Sequence, residues 1–342
     1  MMFMASCMSE FEPDIKSTPV VCINANAVAG DTLIVEVTRT WRWSEGCPGD
    51  NIDINLKEAD VEVWVNGELR CRPFYSKWPS KYVVAGVNLH GEHLEGYKTD
   101  YVPSPGDHIY IKVHDAEYGD AEGEVTVPMP TKIDGVTFST TLIDGPASGV
   151  EVIRPGDKPR EDIIEVYGNV FFDIHMTDPG DAKNYYKLEM STRYKEVDKA
   201  LPSPYAHFDF SHEPLFTEHV SSLESIFSET SGYTFFSDRQ IAGQPYDLRV
   251  EATDVQYSYL KDKGASSNQS YIMARLRTIS ESYYTHVLSM WQSNDGVPGA
   301  LGGIGLGEPV WMESNVSTGA GVISASSSSE YSIPIADFFG VK

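Results

Sequence analysis

Cysteine, positive charge and long apolar runs are all scarce in this chain. Its 342 residues include four cysteines, Cys7, Cys22, Cys47 and Cys71, none in CxxC spacing, so the sequence encodes no thiolate zinc site. Lysine and arginine number 26 against 50 acids, a formal net charge of −24. Such a surface repels a phosphate backbone and anionic lipid head groups, which excludes nucleic acid as a partner. No stretch reaches the roughly 18 consecutive apolar residues of a membrane-spanning helix. Catalytic signatures are missing as well, with neither a GxSxG elbow nor an HExxH motif. The glycine-rich Gly302-Gly303-Ile304-Gly305-Leu306-Gly307 leads into Glu308-Pro309 and not into a helix, so it reads as a loop and not a phosphate cradle. His90-Gly91-Glu92-His93 offers three donors, but its loop-like setting does not aim both imidazoles at one ion, and it reads as solvated surface. Carboxylates are too abundant for any pair to stand out as general acid and base. The expectation is a chain with no catalytic residue, no cofactor and no metal site.

What is present suffices for buried cores: 41% of residues are hydrophobic and 11% aromatic. The first residues, Met1-Met2-Phe3-Met4-Ala5-Ser6-Cys7, place an apolar residue three positions before a cysteine and small residues between, the pattern that ends a bacterial lipoprotein signal. Cys7 is therefore expected to carry lipid, and that lipid to be the chain's contact with a membrane. Met8-Ser9-Glu10-Phe11-Glu12-Pro13-Asp14 suits a tether. The competing reading is a start-site remnant with a buried cysteine. Of the other cysteines, Cys47 and Cys71 are the easier pair to bridge, and whether they do stays open. Cys22, inside a strand pattern, reads as a small core residue.

Period-two alternation dominates the first 130 residues. Val20 to Ala25 and Thr32 to Thr38, joined through Ala29-Gly30-Asp31, read as a hairpin. Val61-Glu62-Val63-Trp64-Val65 and Glu68-Leu69-Arg70 flank Asn66-Gly67, the dipeptide that supplies both positive φ angles of a type I′ turn. His108 to Val113 and Gly123 to Val127 add two strands. Between Arg72 and Val102 lies an aromatic-rich insertion expected to be exposed, and its Trp78, Tyr82 and Tyr97 are the candidate ligand-binding residues. Pro128-Met129-Pro130 breaks helix and ladder alike and marks a boundary. The expected fold is mainly β. Residues 1–17 are a signal remnant and tether, 18–130 an immunoglobulin-like or transthyretin-like sandwich, and 131–342 a larger β-rich domain with one clear amphipathic helix. Its strands include Gly135–Thr140, Ile163–Tyr167, Val170–Ile174, Asn184–Met190 and Tyr246–Glu251. The helix follows a capping box at Thr278-Ile279-Ser280-Glu281 and has an apolar stripe of Ile279, Tyr283, Val287, Met290 and Trp291.

Three passages carry a resemblance. Asp178-Pro179-Gly180-Asp181 leads into a strand beginning Asn184-Tyr185-Tyr186; Phe236-Ser237-Asp238-Arg239-Gln240 precedes a loop with Gly243; and Ile279 to Tyr284 pairs with the late segment Glu308 to Gly321. Their order and spacing resemble the domain-of-unknown-function 4249 family of Bacteroidota outer-membrane lipoproteins. The resemblance implies a surface-exposed, lipid-anchored accessory of a TonB-dependent transporter of the starch-utilisation type, with glycan or peptide as ligand and no catalytic residues. The alternatives are a cell-surface hydrolase with an unrecognised carboxylate site and a structural or adhesin-type envelope protein. Each passage also has a conformational reading. Asp178 to Asp181 is a good β-turn that lacks the further oxygens of a calcium loop. Tyr185 and Tyr186 point to opposite faces, so at most one is expected in the core, and Asn315 and Gly319 to Gly321 read as backbone-geometry residues near a strand crossing. The family's aromatic after the late glycine is replaced by Gly321-Val322-Ile323 and a Ser324–Ser329 run, which leaves the last strand's partner open.

Overall fold

The computed structural model describes residues 18–41, 52–79, 83–84, 87–88, 93–144, 162–199, 201–217, 233–294 and 311–342. Cys7, Cys47, Tyr82, His90 to Glu92 and the Gly302–Gly307 loop lie outside them. The protein is mainly β. Before the proline linker come β1 (Val21–Val28), β2 (Ile34–Arg39), β3 (Asp60–Val65), β4 (Glu68–Cys71), β5 (Tyr75–Pro79), β6 (Val83–Val84), β7 (Val87–Asn88), β8 (His93–Lys98), β9 (His108–Asp115) and β10 (Gly119–Thr126). After it come β11 (Ile133–Ile143), β12 (Ile163–Thr177), β13 (Tyr185–Val197), β14 (Tyr205–Asp209), β15 (Phe235–Ser237), β16 (Pro245–Leu260), β17 (Asn268–Ile279), helix α1 (Glu281–Asn294), β18 (Val316–Ser317), β19 (Ala320–Pro334) and the one-turn α2 (Ile335–Phe338). No described helix is long and apolar enough to cross a membrane.

One eight-stranded sheet, ordered β15-β13-β17-β19-β1-β2-β8-β5, carries strands from both sides of Pro128-Met129-Pro130. A five-stranded sheet (β18-β10-β9-β3-β4) covers one half of it and a four-stranded sheet (β11-β12-β16-β14) the other. The join is β19. Residues 320–326 run parallel to β1, and from Ser326 onward the strand runs antiparallel to β17. Ile323 and Ala325 accordingly enter the first core and Ile333 the second. The parallel pairing needs close backbones: a Cβ at Gly319 would lie 2.5 Å from the Val21 carbonyl oxygen, and one at Gly321, whose φ is +101°, would run into the Ile23 carbonyl. Asn315 locks this crossing, donating through Nδ2 to the carbonyls of Glu124 (3.0 Å) and Ile323 (2.8 Å) and accepting from the Ile323 N–H at 2.9 Å. The last strand's partners are thus β1 and β17.

The alternation in the first half translates directly into burial. Val21, Ile23, Ala25 and Ala27 of β1 face Val61 and Val63 of β3 and Ile109, Ile111 and Val113 of β9 across the sandwich. Cys22 belongs to the other face and is half-buried, so it is not the core residue expected; desolvation holds its thiol above the usual range. The Asn66-Gly67 turn has φ of 52° and 85° at its central residues, the type I′ signature. In the second half, Ile163–Tyr167 and Val170–Ile174 are one continuous strand, with only a register irregularity between Gly168 and Val170. A Cβ at Gly168 would stand 2.9 Å from the Thr141 carbonyl oxygen and 3.0 Å from the Phe339 ring, so this glycine permits packing and does not end the strand.

Candidate binding cleft at the join of the two sandwiches

Tyr97 cannot serve as a ligand-binding surface. It alternates inward along β8 and is 1% exposed, its hydroxyl donating to the Leu56 carbonyl at 2.6 Å and accepting from the Ala59 N–H at 2.9 Å. Both polar bonds are satisfied, so the ring behaves as core. Tyr75 packs edge-on against it at 5.6 Å, and Tyr101 is also buried. The described part of the insertion extends the large sheet through β8 and the edge strand β5, which mixes buried and exposed positions. Trp78 is half-buried, with the Lys98 ammonium 5.5 Å from its ring centroid, and Phe74 stays exposed. The three candidate residues therefore do not form one described face.

The family-like passages converge elsewhere. Asp178 is 2% exposed, and its carboxylate gathers donors from two turns: the Gly180 N–H at 2.9 Å, the Gly243 N–H at 2.8 Å and the Tyr186 hydroxyl at 2.5 Å. Gly180 and Gly243 both have positive φ (70° and 67°), which lets the turns stack. Asp238, 4% exposed, accepts the Asn184 N–H at 2.6 Å and donates its own N–H back to the Asn184 carbonyl at 3.0 Å. The first two passages, some 60 residues apart, thus form one polar knot. Burial and the bond to Asp178 push the Tyr186 phenol far above its usual range. The Asp178 carboxylate thus takes up two backbone N–H groups and one phenol, and in doing so fixes the two turns against β13.

Helix α1 closes the site. Its N-cap is Ser280, whose Oγ accepts the Tyr283 N–H at 3.2 Å. Thr278, the expected cap, is instead a buried strand residue that accepts the Thr131 N–H at 2.9 Å and so ties the linker to β17. The helix covers the outer face of β13, with Tyr284 stacked on Tyr185 at 4.6 Å. This is why both Tyr185 and Tyr186 are buried, contrary to the alternation rule for a strand with one wet face. Trp291 is buried as expected, but Met290 is 41% exposed and leaves the stripe. Glu281, at the first helical position, accepts from the Tyr185 hydroxyl at 2.5 Å and from Lys183 at 3.1 Å. The Tyr185 bond first, then Lys183, hold its carboxyl below the ordinary range.

Above this knot lies a cleft of about 670 Å³, lined by the linker residues Pro128 to Pro130, by Pro179 and Lys183 of the first passage, and by Ser280 and Glu281 of the helix start. Met129 is 68% exposed at its rim. The arrangement offers an apolar ridge beside a held Lys183–Glu281 pair, suited to gripping a ligand through van der Waals contact and hydrogen bonds. Sequence reasoning did not single out these residues for binding. The available signal was that two resembling passages and the Pro128-Met129-Pro130 linker flank it.

The fold and cleft define a class, a mainly β protein of two sandwiches built on one shared sheet with a pocket at the join. The chain belongs to the family described as Domain of unknown function (DUF4249), which it matches over residues 8–332. Comparison with curated proteins gave no match, and comparison with solved structures gave none.

Proposed function

We propose that this chain is a Bacteroidota outer-membrane lipoprotein, anchored at the cell surface through lipid on Cys7, that serves a TonB-dependent nutrient-uptake system as a non-catalytic accessory. It captures a glycan or peptide in the cleft at the join, or gates the transporter mouth with that face. The carrying observation is the cleft itself. Its volume falls within the roughly 300–1,000 Å³ of small-molecule sites, and it is walled by the linker, with Thr126 before it and the turn into β13 and the start of α1 after it. Absence of chemistry is supported by the occupation of the buried acids. Asp178 and Asp238 bind backbone as described, and Glu213, fully buried, accepts from the Leu215 and Arg249 N–H groups and the Tyr246 hydroxyl at 2.8–3.1 Å. The net charge of −24 keeps the body off an anionic bilayer while lipid holds it there.

Two experiments test this. Cys7→Ser should move the protein from the membrane to the soluble fraction and abolish copurification of an integral transporter; membrane retention would count against the anchor. Met129→Arg should fill the cleft and weaken glycan or peptide binding by roughly tenfold without lowering the melting temperature. Unchanged binding would displace the site, and turnover of any panel member would favour the hydrolase.

A further inference from the structure

The outer face of the four-stranded sheet holds a second constellation, none of whose residues lines the cleft. Asp209 at the end of β14 is the direct cross-strand partner of Glu251 on β16, so two carboxylates stand side by side on one face. Like charges in that register repel unless a cation lies between them. His212, three residues after Asp209, turns its imidazole toward both: Nε2 lies 3.2 Å from Glu251 Oε2 and 4.0 Å from Asp209 Oδ2. One donor atom from each residue falls within 4.8 Å of the other two. The second oxygen of Asp209 accepts the Ser211 N–H at 2.8 Å, which fixes the carboxylate with Oδ2 left for the cluster.

We infer that Asp209, His212 and Glu251 form a three-ligand site for a divalent first-row transition ion of the zinc or cobalt kind, with a coordination position open to water or to an external ligand. The donor set selects the metal class, since one imidazole with two carboxylates suits such ions, whereas calcium and magnesium take oxygen alone. Donors around a tetrahedral zinc stand about 3.3–3.5 Å apart. The His212–Glu251 separation already fits, and the His212–Asp209 one needs a shift of under about 1 Å, which the 57% exposed histidine can make. The Asp209 and Glu251 oxygens, within 4.8 Å of each other, need to close by at most about 1.5 Å through rotation of the carboxylates. Glu251, 14% exposed, forms the floor and the more exposed His212 the rim, so an ion held there would be reached from solvent. Sequence reading found no metal site because its ligands come from a strand end, a turn and a strand about forty positions further on. His175 on the same sheet face is the internal contrast: it bonds Asp247 at 2.6 Å and Thr137 at 3.1 Å, with no second carboxylate within the cluster distance among the described residues.

The test uses the full chain, free of any histidine tag and stripped with chelator, titrated with Co²⁺ and followed by its visible absorption, with Zn²⁺ as competitor. One saturable equivalent is expected, displaced by Zn²⁺, weakened roughly tenfold or more in His212→Ala and in Glu251→Gln, and unaltered in His175→Ala. Zn²⁺ should also raise the melting temperature of the parent and not that of Glu251→Gln, a variant of equal volume whose folding circular dichroism confirms. Absence of a saturable site, or binding that survives both ligand changes or falls equally with His175→Ala, would overturn the assignment. None of these outcomes depends on what the cleft binds.

Discussion

The two cores that share the eight-stranded sheet are built from different materials. The first is almost wholly aliphatic, with Val, Ile, Leu and Ala supplied by alternate positions of β1, β2, β3 and β9, and Tyr97 and Tyr101 as its buried rings. The second contains Phe172, Phe216, Phe236, Phe338, Tyr186 and Tyr257, and around it lie three buried carboxylates, Asp178, Glu213 and Asp238. Burial raises the Tyr257 phenol to about 12, the Tyr259 and Asp337 charges adding to it. In the first core, shape comes from strand periodicity, and the tyrosine hydroxyls end on the Leu56 and Ala59 backbone and on half-buried Asp107, with no buried acid among their partners. In the second, turns and a helix bring in side chains off the strand pattern, and buried acids fix those turns by taking up their N–H groups. An aliphatic core tolerates repacking; a core tied by buried acids fails when one tie is removed.

The sharpest way to break the comparison is to cut the strand that both cores use. Gly321→Val forces a side chain into the Ile23 carbonyl at a φ of +101°, where β-branched residues are strained. The expected loss is on the order of 4 kcal/mol, enough to abolish folding of a marginal domain. Hydrogen exchange should show protection falling together in β9 and in β16, since β19 feeds both cores. If only β9 loosens, the cores are independent and the shared strand does not couple them.

The next test sets one tie in each core against the other. Asp178→Ala leaves the buried Tyr186 hydroxyl and the Gly180 and Gly243 N–H groups without their acceptor, which should cost roughly 3 kcal/mol in urea denaturation. Tyr97→Phe leaves the Leu56 carbonyl and the Ala59 N–H unpaired, at about 1–2 kcal/mol. An equal or reversed order would mean that buried acids do not distinguish the second core.

The same contrast explains how much was legible beforehand. The hairpins at Ala29-Gly30-Asp31 and Asn66-Gly67, β9 and β10 follow from period two and turn chemistry, both local properties. The mainly β class and the single long helix were legible for the same reason. Tyr97 was misjudged because charges flanking it along β8 hid an inward register, and Tyr185 because nothing local announces that α1 lies over β13. The Ser324–Ser329 run gives no apolar alternation, yet it is the middle of β19, held between two neighbours that only the assembled sheet defines. The cleft, the Asp178 knot and the Asp209–His212–Glu251 cluster are all made of residues distant in sequence, and no periodicity carries such proximity.

The smallest expected effect separates the outer faces of the two halves. On the second, Glu189 of β13 lies between Arg277 of β17 (2.9 Å), Lys187 (3.0 Å) and Arg275 (3.6 Å), and its side chain is 30% exposed. Burial alone would raise its pKa from the ordinary 4.5, but the bonds from Lys187 and Arg277 outweigh it and the folded value lies lower. A depressed acid contributes stability above its unfolded pKa and loses it as pH falls through the folded one, because the unfolded chain then binds the proton first. The parent should therefore exceed Glu189→Gln by up to about 1 kcal/mol at neutral pH, with the gap narrowing below about pH 4.5 and closing once the folded carboxyl is protonated. On the first half, Glu62 is paired with Arg72, whose side chain is 57% exposed, so water and salt reach the cation and screen the attraction. Melting temperatures of Glu62→Gln should follow the parent across the same range. A larger acid-dependent gap for Glu62 than for Glu189 would show that the ion pairs of the second half contribute no more than exposed ones, and the contrast would then rest on the buried acids alone.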